Sequence, residues 1–390
     1  MSRYIVELKP IGSFFFGGER TMRFDKEEIN NIVQSKKFPQ QTSILGMLRK
    51  EVLVKLGIYK ANWSYNKDEK DKINKLIGKE SFKNIKEYEK QEFGVIKNIS
   101  PIFISLKEGL NSQKELYLMS MPMDHKKSER VKKNNKEEVK VNKSYTPFEM
   151  QLECDSYYFG QKQCNNIKIP SDYYGKDGVS YDFVTINKDK KLILSDNIFK
   201  SEKNIGIKLN KHHKTEDDSL FRVNRYKFND INNEDDKKYR DIKFIFSVEI
   251  SNDINMDKHR NIVTLGGEGT SFSIYFRKDD KLNIISDAKR FFKPSEGSNK
   301  IILLSDTFIS KEVYEKYCSY SIATITDFRC LVTDYKKTNK HYDKFTRSTE
   351  KYSLLNKGSV LYTKDSRDYE ALTKAIKKEK MQNIGYNHFI

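Results

Sequence analysis

The sequence is poor in the residues that staple or punctuate a chain, with four cysteines, seven prolines and one tryptophan among 390 residues. Cys154, Cys164, Cys318 and Cys330 form no CxxC pair. That excludes a disulfide-stapled scaffold and a compact zinc knuckle, and it fits a reducing, cytoplasmic compartment. No apolar run approaches the roughly 18–20 residues a membrane helix needs. Met1 to Pro10 alternates like a strand instead of presenting a signal-peptide core, so no membrane contact is expected. Acidic charge is in deficit as well: 73 Lys and Arg stand against 55 Asp and Glu, a formal charge of +18.

That excess makes a polyanion the expected partner class, without choosing between RNA, DNA and an acidic protein. Position says more than the total. Only 14 of the 73 basic residues are Arg, and Arg20, Arg23, Arg49, Arg222 and Arg225 lie in two stretches rich in Gly or polar turn residues. Guanidinium forks suit phosphates, so this placement is the sharper signal. The length exceeds the usual domain size of roughly 100–150 residues, so two domains are expected. Aromatic residues, 12% of the chain, supply buried area for both cores.

Residues 3–10 alternate at period two, with Tyr4, Val6 and Leu8 on one face, and stop at Pro10. Gly12 to Thr21 reads as a glycine-rich loop, and Phe38-Pro39-Gln40-Gln41-Thr42-Ser43 as a polar turn before a helix. Thr42 or Ser43 is its expected N-cap, and Ile44, Leu45, Leu48, Val52 and Leu56 are its apolar stripe. Residues 60–92 read as charged helical surface, and 102–106 and 116–121 as strands. His125 to Ser144 carries seven Lys and one Arg against three Glu and almost nothing apolar, the composition of a mobile charged insertion. Gly206 to Leu209 and Leu220 to Phe228 alternate on either side of a polar loop, a β-hairpin with Arg222 and Arg225 on its second arm. A glycine turn at Leu265 to Thr270 runs straight into a strand. Strands and helices mix without a βαβ rhythm, so the expected class is α+β.

Glycine turns beside strands either cradle phosphates with backbone N–H groups or let one backbone pack on another. Neither stretch here has P-loop or GxGxxG spacing, so nucleotide hydrolysis and dinucleotide binding have no support. His212-His213, flanked by Lys211 and Lys214, is the histidine pair suited to phosphate contact or to general acid–base work on an RNA 2′-hydroxyl. No metal set and no cofactor motif emerges.

In combination, these stretches resemble the family of the third subunit of the type III-B (Cmr) CRISPR effector complex, one of the RAMP proteins. The resemblance is carried by Tyr4 to Pro10 leading into Ser13-Phe14-Phe15-Phe16-Gly17-Gly18-Glu19-Arg20, and then by Phe38 to Arg49. The Gly206-Ile207 hairpin ending Ser219-Leu220-Phe221, the Leu265-Gly266-Gly267-Glu268 turn and the glycine-containing carboxyl end are similar in kind.

The resemblance implies two ferredoxin-like (RRM-like) domains, assigned to 1–280 and 281–390, with β-hairpin and charged-loop insertions. It implies a non-catalytic subunit that grips the repeat-derived 5′ handle of a crRNA. Its implied partners are the large polymerase/cyclase-type subunit and the backbone RAMP subunits, with target RNA reached indirectly. The family's hairpin thumb falls on His125 to Ser144 or on the Asn210 to Ser219 turn. The candidate RNA-binding residues are Gly17, Gly18, Glu19, Arg20, Thr21, Arg23, Gln40, Gln41, Thr42, Ser43, Arg49, Lys208, Lys211, His212, His213, Lys214, Arg222, Arg225, Gly266, Gly267, Gly269 and Thr270. The alternative is a metal-independent CRISPR-RNA processing endoribonuclease of the same superfamily, with His212 or His213 as base.

Overall fold

A computed structural model describes residues 1–25, 28–62, 64–79, 82, 88–109, 114–124, 130–133, 136–139, 152–159, 162–170, 182–186, 192–209, 215–229, 239–267, 269–292, 299–333, 345–347 and 351–390. The chain is mixed α+β, and among the described residues its sheets are antiparallel except for one pairing.

The principal sheet has nine strands: β1 (Ser2–Pro10), β4 (Ile96–Ile99), β5 (Phe103–Glu108), β6 (Glu115–Ser120), β11 (Phe183–Thr185), β12 (Leu192–Ile193), β15 (Tyr239–Ile250), β16 (Arg260–Thr264) and β17 (Ser271–Lys278). Their order is β12-β11-β6-β5-β15-β1-β17-β16, with β4 also on β15. β1 lies between β15 and β17, antiparallel to both. Its alternation puts Tyr4, Val6 and Leu8 on one face, where they join Phe244, Phe246, Phe272, Ile274 and Phe276 in the main core. Ile5 points the other way, into a second core with Phe103, Ile245, Ile284 and Ala288.

Helix α1 (Gln41–Lys55) lies on the first face. Ile44, Leu45, Leu48 and Val52 are buried as their spacing predicts, but Leu56 is the C-cap and 39% exposed. The N-cap is Gln40, not Thr42 or Ser43, and its side chain makes no capping bond. Its Oε1 is taken by the Tyr386 hydroxyl at 3.2 Å, while its carbonyl accepts from the Ser43 and Ile44 amides. The charged stretch after α1 contains α2 (Lys67–Ile77), started by a capping box between Asn66 and Glu69.

A second, four-stranded sheet has the order β13-β14-β3-β2, from β2 (Phe16–Asp25), β3 (Glu28–Lys36), β13 (Phe199–Leu209) and β14 (Thr215–Phe228). A short helix, α3 (Ser195–Ile198), leads into β13. The hairpin is therefore longer than its alternation alone predicts, and β14 continues parallel to β3. The expected glycine loop at Gly17 to Thr21 is corrected: it is strand. The register between β2 and β3 slips between Gly17 and Arg20, so the glycines open a bulge inside a ladder.

The carboxyl-terminal part holds α4 (Ile284–Phe291), β18 (Lys300–Ile302), β19 (Thr307–Phe308), α5 (Lys311–Tyr317), β20 (Cys318–Ile322), β21 (Ile325–Phe328), β24 (Tyr352–Leu355), β25 (Val360–Thr363), α6 (Ser366–Ile376) and α7 (Glu379–Gln382). Ile301, Leu303, Leu361, Leu372 and Ile376 form a core of their own there. Two-stranded ladders pair β7 (Arg130–Lys133) with β8 (Lys136–Val139), β9 (Leu152–Phe159) with β10 (Lys162–Pro170), and β22 (Leu331–Thr333) with β23 (Phe345–Arg347). Of the lysine-rich segment 125–144, the β7–β8 ladder is what falls within the described residues. Just ahead of that segment Asp124 is fully buried, and it takes the Lys300 ammonium and the Tyr362 hydroxyl, the latter at 2.8 Å. No helix among the described residues is long and apolar enough to cross a membrane.

Candidate nucleic-acid interface

The Phe14-Phe15-Phe16 run is where the motif stretches meet. Phe14 exchanges backbone hydrogen bonds with Tyr226 of β14, at 2.7 and 3.1 Å. The Phe16 amide donates to Ser35 Oγ at 2.9 Å, and the Phe15 carbonyl accepts from Gly267 at 3.0 Å. The Phe14 ring contacts Phe16, Phe228, Phe244 and Phe272 at centroid distances of 5.0 to 6.0 Å. An aromatic cluster thus roots the four-stranded sheet on the principal one.

The second glycine turn is built for backbone packing. Gly266 has φ +87°, and a Cβ there would lie 2.3 Å from the Phe15 carbonyl oxygen; one on Gly267 would lie 3.0 Å from the Phe15 ring. The Thr270 hydroxyl donates back to Leu265 O at 2.5 Å and is buried. Gly266, Gly267 and Thr270 therefore hold the turn against the aromatic run, while Gly269 is exposed with open space around it.

The polar turn before α1 is likewise tied inward. The Gln41 amide, 6% exposed, donates to Ile384 O at 3.2 Å and accepts from the Ile102 amide at 3.3 Å. Gly385, at φ +89°, makes room for it, since a Cβ there would lie 2.5 Å from Gln41 Cδ. Arg49 is buried and its Nη2 donates to Glu92 O at 2.9 Å. Gln40 and Gln41 thus tie the start of α1 to the carboxyl-terminal segment, Arg49 ties the helix to Glu92, and Thr42 and Ser43 sit half-buried on the first helical turn. Next to them Lys37 Nζ donates to Ser195 Oγ at 2.6 Å and lies 5.7 and 5.9 Å from the rings of Phe199 and Tyr226. Burial lowers its pKa, against the pull of Asp196 and Asp182.

Among the described residues, part of one face of the four-stranded sheet presents basic and polar side chains to solvent. The β13–β14 register sets Ser201 opposite Tyr226, Lys203 opposite Asn224 and Ile205 opposite Arg222. The β14–β3 register sets Asn224 opposite Gln34. Lys203, Ile205, Arg222 and Gln34 are exposed, Ile205 by 69%. Cations and carboxamides therefore share a face that descends to Tyr226 and Lys37, a combination suited to phosphate oxygens and base edges.

Arg225, three residues from Arg222, falls on the opposite face, beside Glu202 and Lys227, because an odd spacing inverts a strand side chain. Arg20, Thr21, Arg23, Gly18 and Glu19 are placed on β2, with Arg20 opposite Val33 and Arg23 opposite Asn30, and Lys208 is placed on β13. Gly17 is exposed at the bulge. Lys211, His212, His213 and Lys214 lie outside the described residues. Sequence reasoning missed Gln34, Lys37, Lys203, Asn224 and Tyr226. Strand parity makes Lys203 and Asn224 legible once the first arm is started at Phe199; Gln34 and Lys37 carry no local signal.

Among the described residues no group of three or more His, Cys, Asp and Glu is arranged to hold a metal ion. His388 Nε2 donates to Gln382 O at 2.9 Å, and burial, working against that backbone contact, pushes its pKa down to about 4, so it is neutral at pH 7.

Two solved structures are similar in outline. One is described as the cryo-EM structure of the Type III-B Cmr-beta bound to cognate target RNA, with 14% identity, a TM-score of 0.47 and coverage of 99% of this chain and 96% of that one. The other is the same assembly bound to cognate target RNA and AMPPnP, with 14% identity, a TM-score of 0.45 and the same coverage. No curated protein matches. The sequence model of the family described as CRISPR-associated protein (Cas_Cmr3) matches residues 6–390, and the chain belongs to that family.

Proposed function

We propose that this chain is a non-catalytic, RNA-binding subunit of a cytoplasmic type III-B effector complex, which grips the 5′ handle of a crRNA and docks the large subunit and the backbone subunits. The observation that carries the reading is the open face of Lys203, Arg222, Asn224 and Gln34, which continues to Tyr226 and Lys37. Lys and Arg there neutralise phosphate, and the amides and Tyr226 offer hydrogen bonds and a stacking surface. The further candidates Arg20, Arg23 and Lys208 are on strands of the same sheet, and Lys211, His212, His213 and Lys214, outside the described residues, are kept as candidates from the sequence. Target RNA is reached through the guide, since pairing reads sequence while protein reads backbone.

Two ferredoxin-like units meeting near residue 280 are part of this reading. It is supported by β17, the last strand of the principal sheet along the chain, which ends at Lys278, and by the separate core under α6.

The test is purification of the tagged chain with its bound RNA and proteins, repeated with Lys203→Glu and Arg222→Glu. RNAs sharing one fixed 5′ segment should be recovered with the native protein. Removing one phosphate-neutralising cation should lower the salt slope of RNA binding by about 0.7. Cleavage of repeat RNA by the purified chain in EDTA, abolished on replacing His212 and His213, would overturn the non-catalytic reading.

A further inference from the structure

A second open area lies on the principal sheet, remote in sequence from the hairpin. On the face opposite α1, register puts Arg260, Tyr275 and Glu7 in one row, and Ile262, Ser273 and Lys9 in the next. Thr264 and Ser271 form a third row, beside which Ile11 donates its amide to Ser271 O at 2.9 Å. Ile262 is 67% and Ile11 53% exposed, and Arg260, Thr264, Ser273 and Lys9 are exposed too.

The Arg260 guanidinium lies 4.5 Å from the centroid of the Tyr275 ring. The carboxylates of this face are already committed. Glu7 takes Lys243 at 2.8 Å, Asp241 takes Lys9 at 2.9 Å, and Asp279 takes Arg277 at 2.7 Å. Among the described residues no carboxylate pairs with Arg260.

We propose that this face of β16, β17 and β1 is a second RNA surface, holding single-stranded RNA by stacking bases on the Arg260–Tyr275 pair and on Ile262. A guanidinium plane and an aromatic ring are both stacking platforms for unpaired bases, indifferent to base identity. Ser273, Thr264 and Ser271 supply hydroxyls to ribose or phosphate, and Arg260 supplies charge complementary to the backbone. A protein partner would need a continuous apolar centre, whereas here the two exposed isoleucines stand in different rows with hydroxyl residues between them. The surface adds to the proposed function only in taking RNA as its ligand; it does not depend on the hairpin face.

The experiment is fluorescence anisotropy on the full chain with a fluorescein-labelled oligoadenylate and an abasic strand of equal length. The proteins are wild type, Tyr275→Ala, Tyr275→Phe and Arg260→Ala, each also made with Lys203→Glu and Arg222→Glu. Tyr275→Ala should weaken oligoadenylate binding about tenfold and leave abasic binding unchanged, in both backgrounds, while Tyr275→Phe retains affinity. Arg260→Ala should lower the salt slope by about 0.7. Should Tyr275→Ala fail to fold, the charge-neutral Ile262→Ser at the exposed position should produce the same selective loss. Unchanged oligoadenylate affinity, or equal losses on both strands, overturns the proposal. So does loss of another subunit on co-purification with RNA affinity intact, which would make the face a protein-docking surface. If instead the hairpin substitutions alone have no effect, only the hairpin reading fails.

Discussion

The amide of Gly267 donates to the carbonyl oxygen of Phe15 at 3.0 Å, so two glycine-rich stretches far apart in the chain are packed backbone to backbone. Gly266, beside it, has the left-handed φ of +87° and no room for a side chain. This contact fixes the root of the four-stranded sheet relative to the principal one.

Gly266→Ala should therefore cost about 2–4 kcal/mol, from backbone strain plus a forced retreat of Phe15. Gly269→Ala, at φ +65° but in open space, should cost only about 1 kcal/mol. Urea denaturation of the two variants checks the contrast, and equal losses would sink the packing account.

Glu51 of α1 is fully buried, with His259 Nε2 at 3.0 Å and Asn261 Nδ2 at 3.0 and 3.2 Å from its oxygens. A carboxylate only accepts, so the His259 Nε2 carries the proton. This pair clamps the helix to the edge strand β16. Glu51→Ala should destabilise by about 3 kcal/mol. A double-mutant cycle with Asn261→Ala should return a coupling of about 1 kcal/mol or more.

On the sheet face opposite α1, Lys243 is buried between Glu7 at 2.8 Å and Glu115 at 3.0 Å. Burial pushes Glu115 up, but hydrogen bonds from Ser105, Lys243 and Tyr117 and the Lys243 charge outweigh it and hold the carboxyl below its usual range. Asp241 and Asp279 are likewise held low against burial, by Lys9 and Lys243 and by the Leu282 and Lys281 amides respectively. A carboxyl depressed in the folded state stabilises above its unfolded pKa, near 4, and that stability is lost as pH falls through the folded value. Melting temperature should accordingly fall steeply below about pH 4. Lys243→Met should flatten this acid limb, and an unchanged limb would remove the network as its cause.

Lys357 lies over the Phe38 ring, beside Asp306, whose carboxylate accepts the Lys357 backbone amide at 3.1 Å. Burial lowers its pKa to about 7, only partly opposed by Asp306. Between about pH 7 and the unfolded value near 10.4 the unfolded chain holds one proton more, so stability from this group rises with pH across that window. Lys357→Met should remove that rise, as read from denaturation midpoints at pH 7 and pH 9.

Elements whose burial follows local periodicity are legible in the sequence. The Tyr4, Val6, Leu8 alternation, the apolar stripe of α1 up to Val52 and the arms of the hairpin all sit where their spacing puts them. The glycine motif at Gly17 to Thr21 reads as a loop because its partner strand, Glu28–Lys36, has no strong pattern of its own, and strand identity there is conferred by pairing. Gln41 and Arg49 look exposed in sequence because polar side chains usually are. They are buried because carbonyls of Ile384 and Glu92, invisible to local spacing, satisfy them.

By itself the sequence determined the class, the basic balance, the strand alternation and the family, because these depend on composition and on contacts within a few residues. The tertiary structure alone decided which motif residues face water. Gly266 and Gly267 went to packing, and Arg222, Lys203, Asn224, Gln34 and Tyr226 were brought to one surface. The physical reason is that a side chain's access to a ligand is set by register between strands distant in sequence, and a shift of one residue there exchanges the inside for the outside.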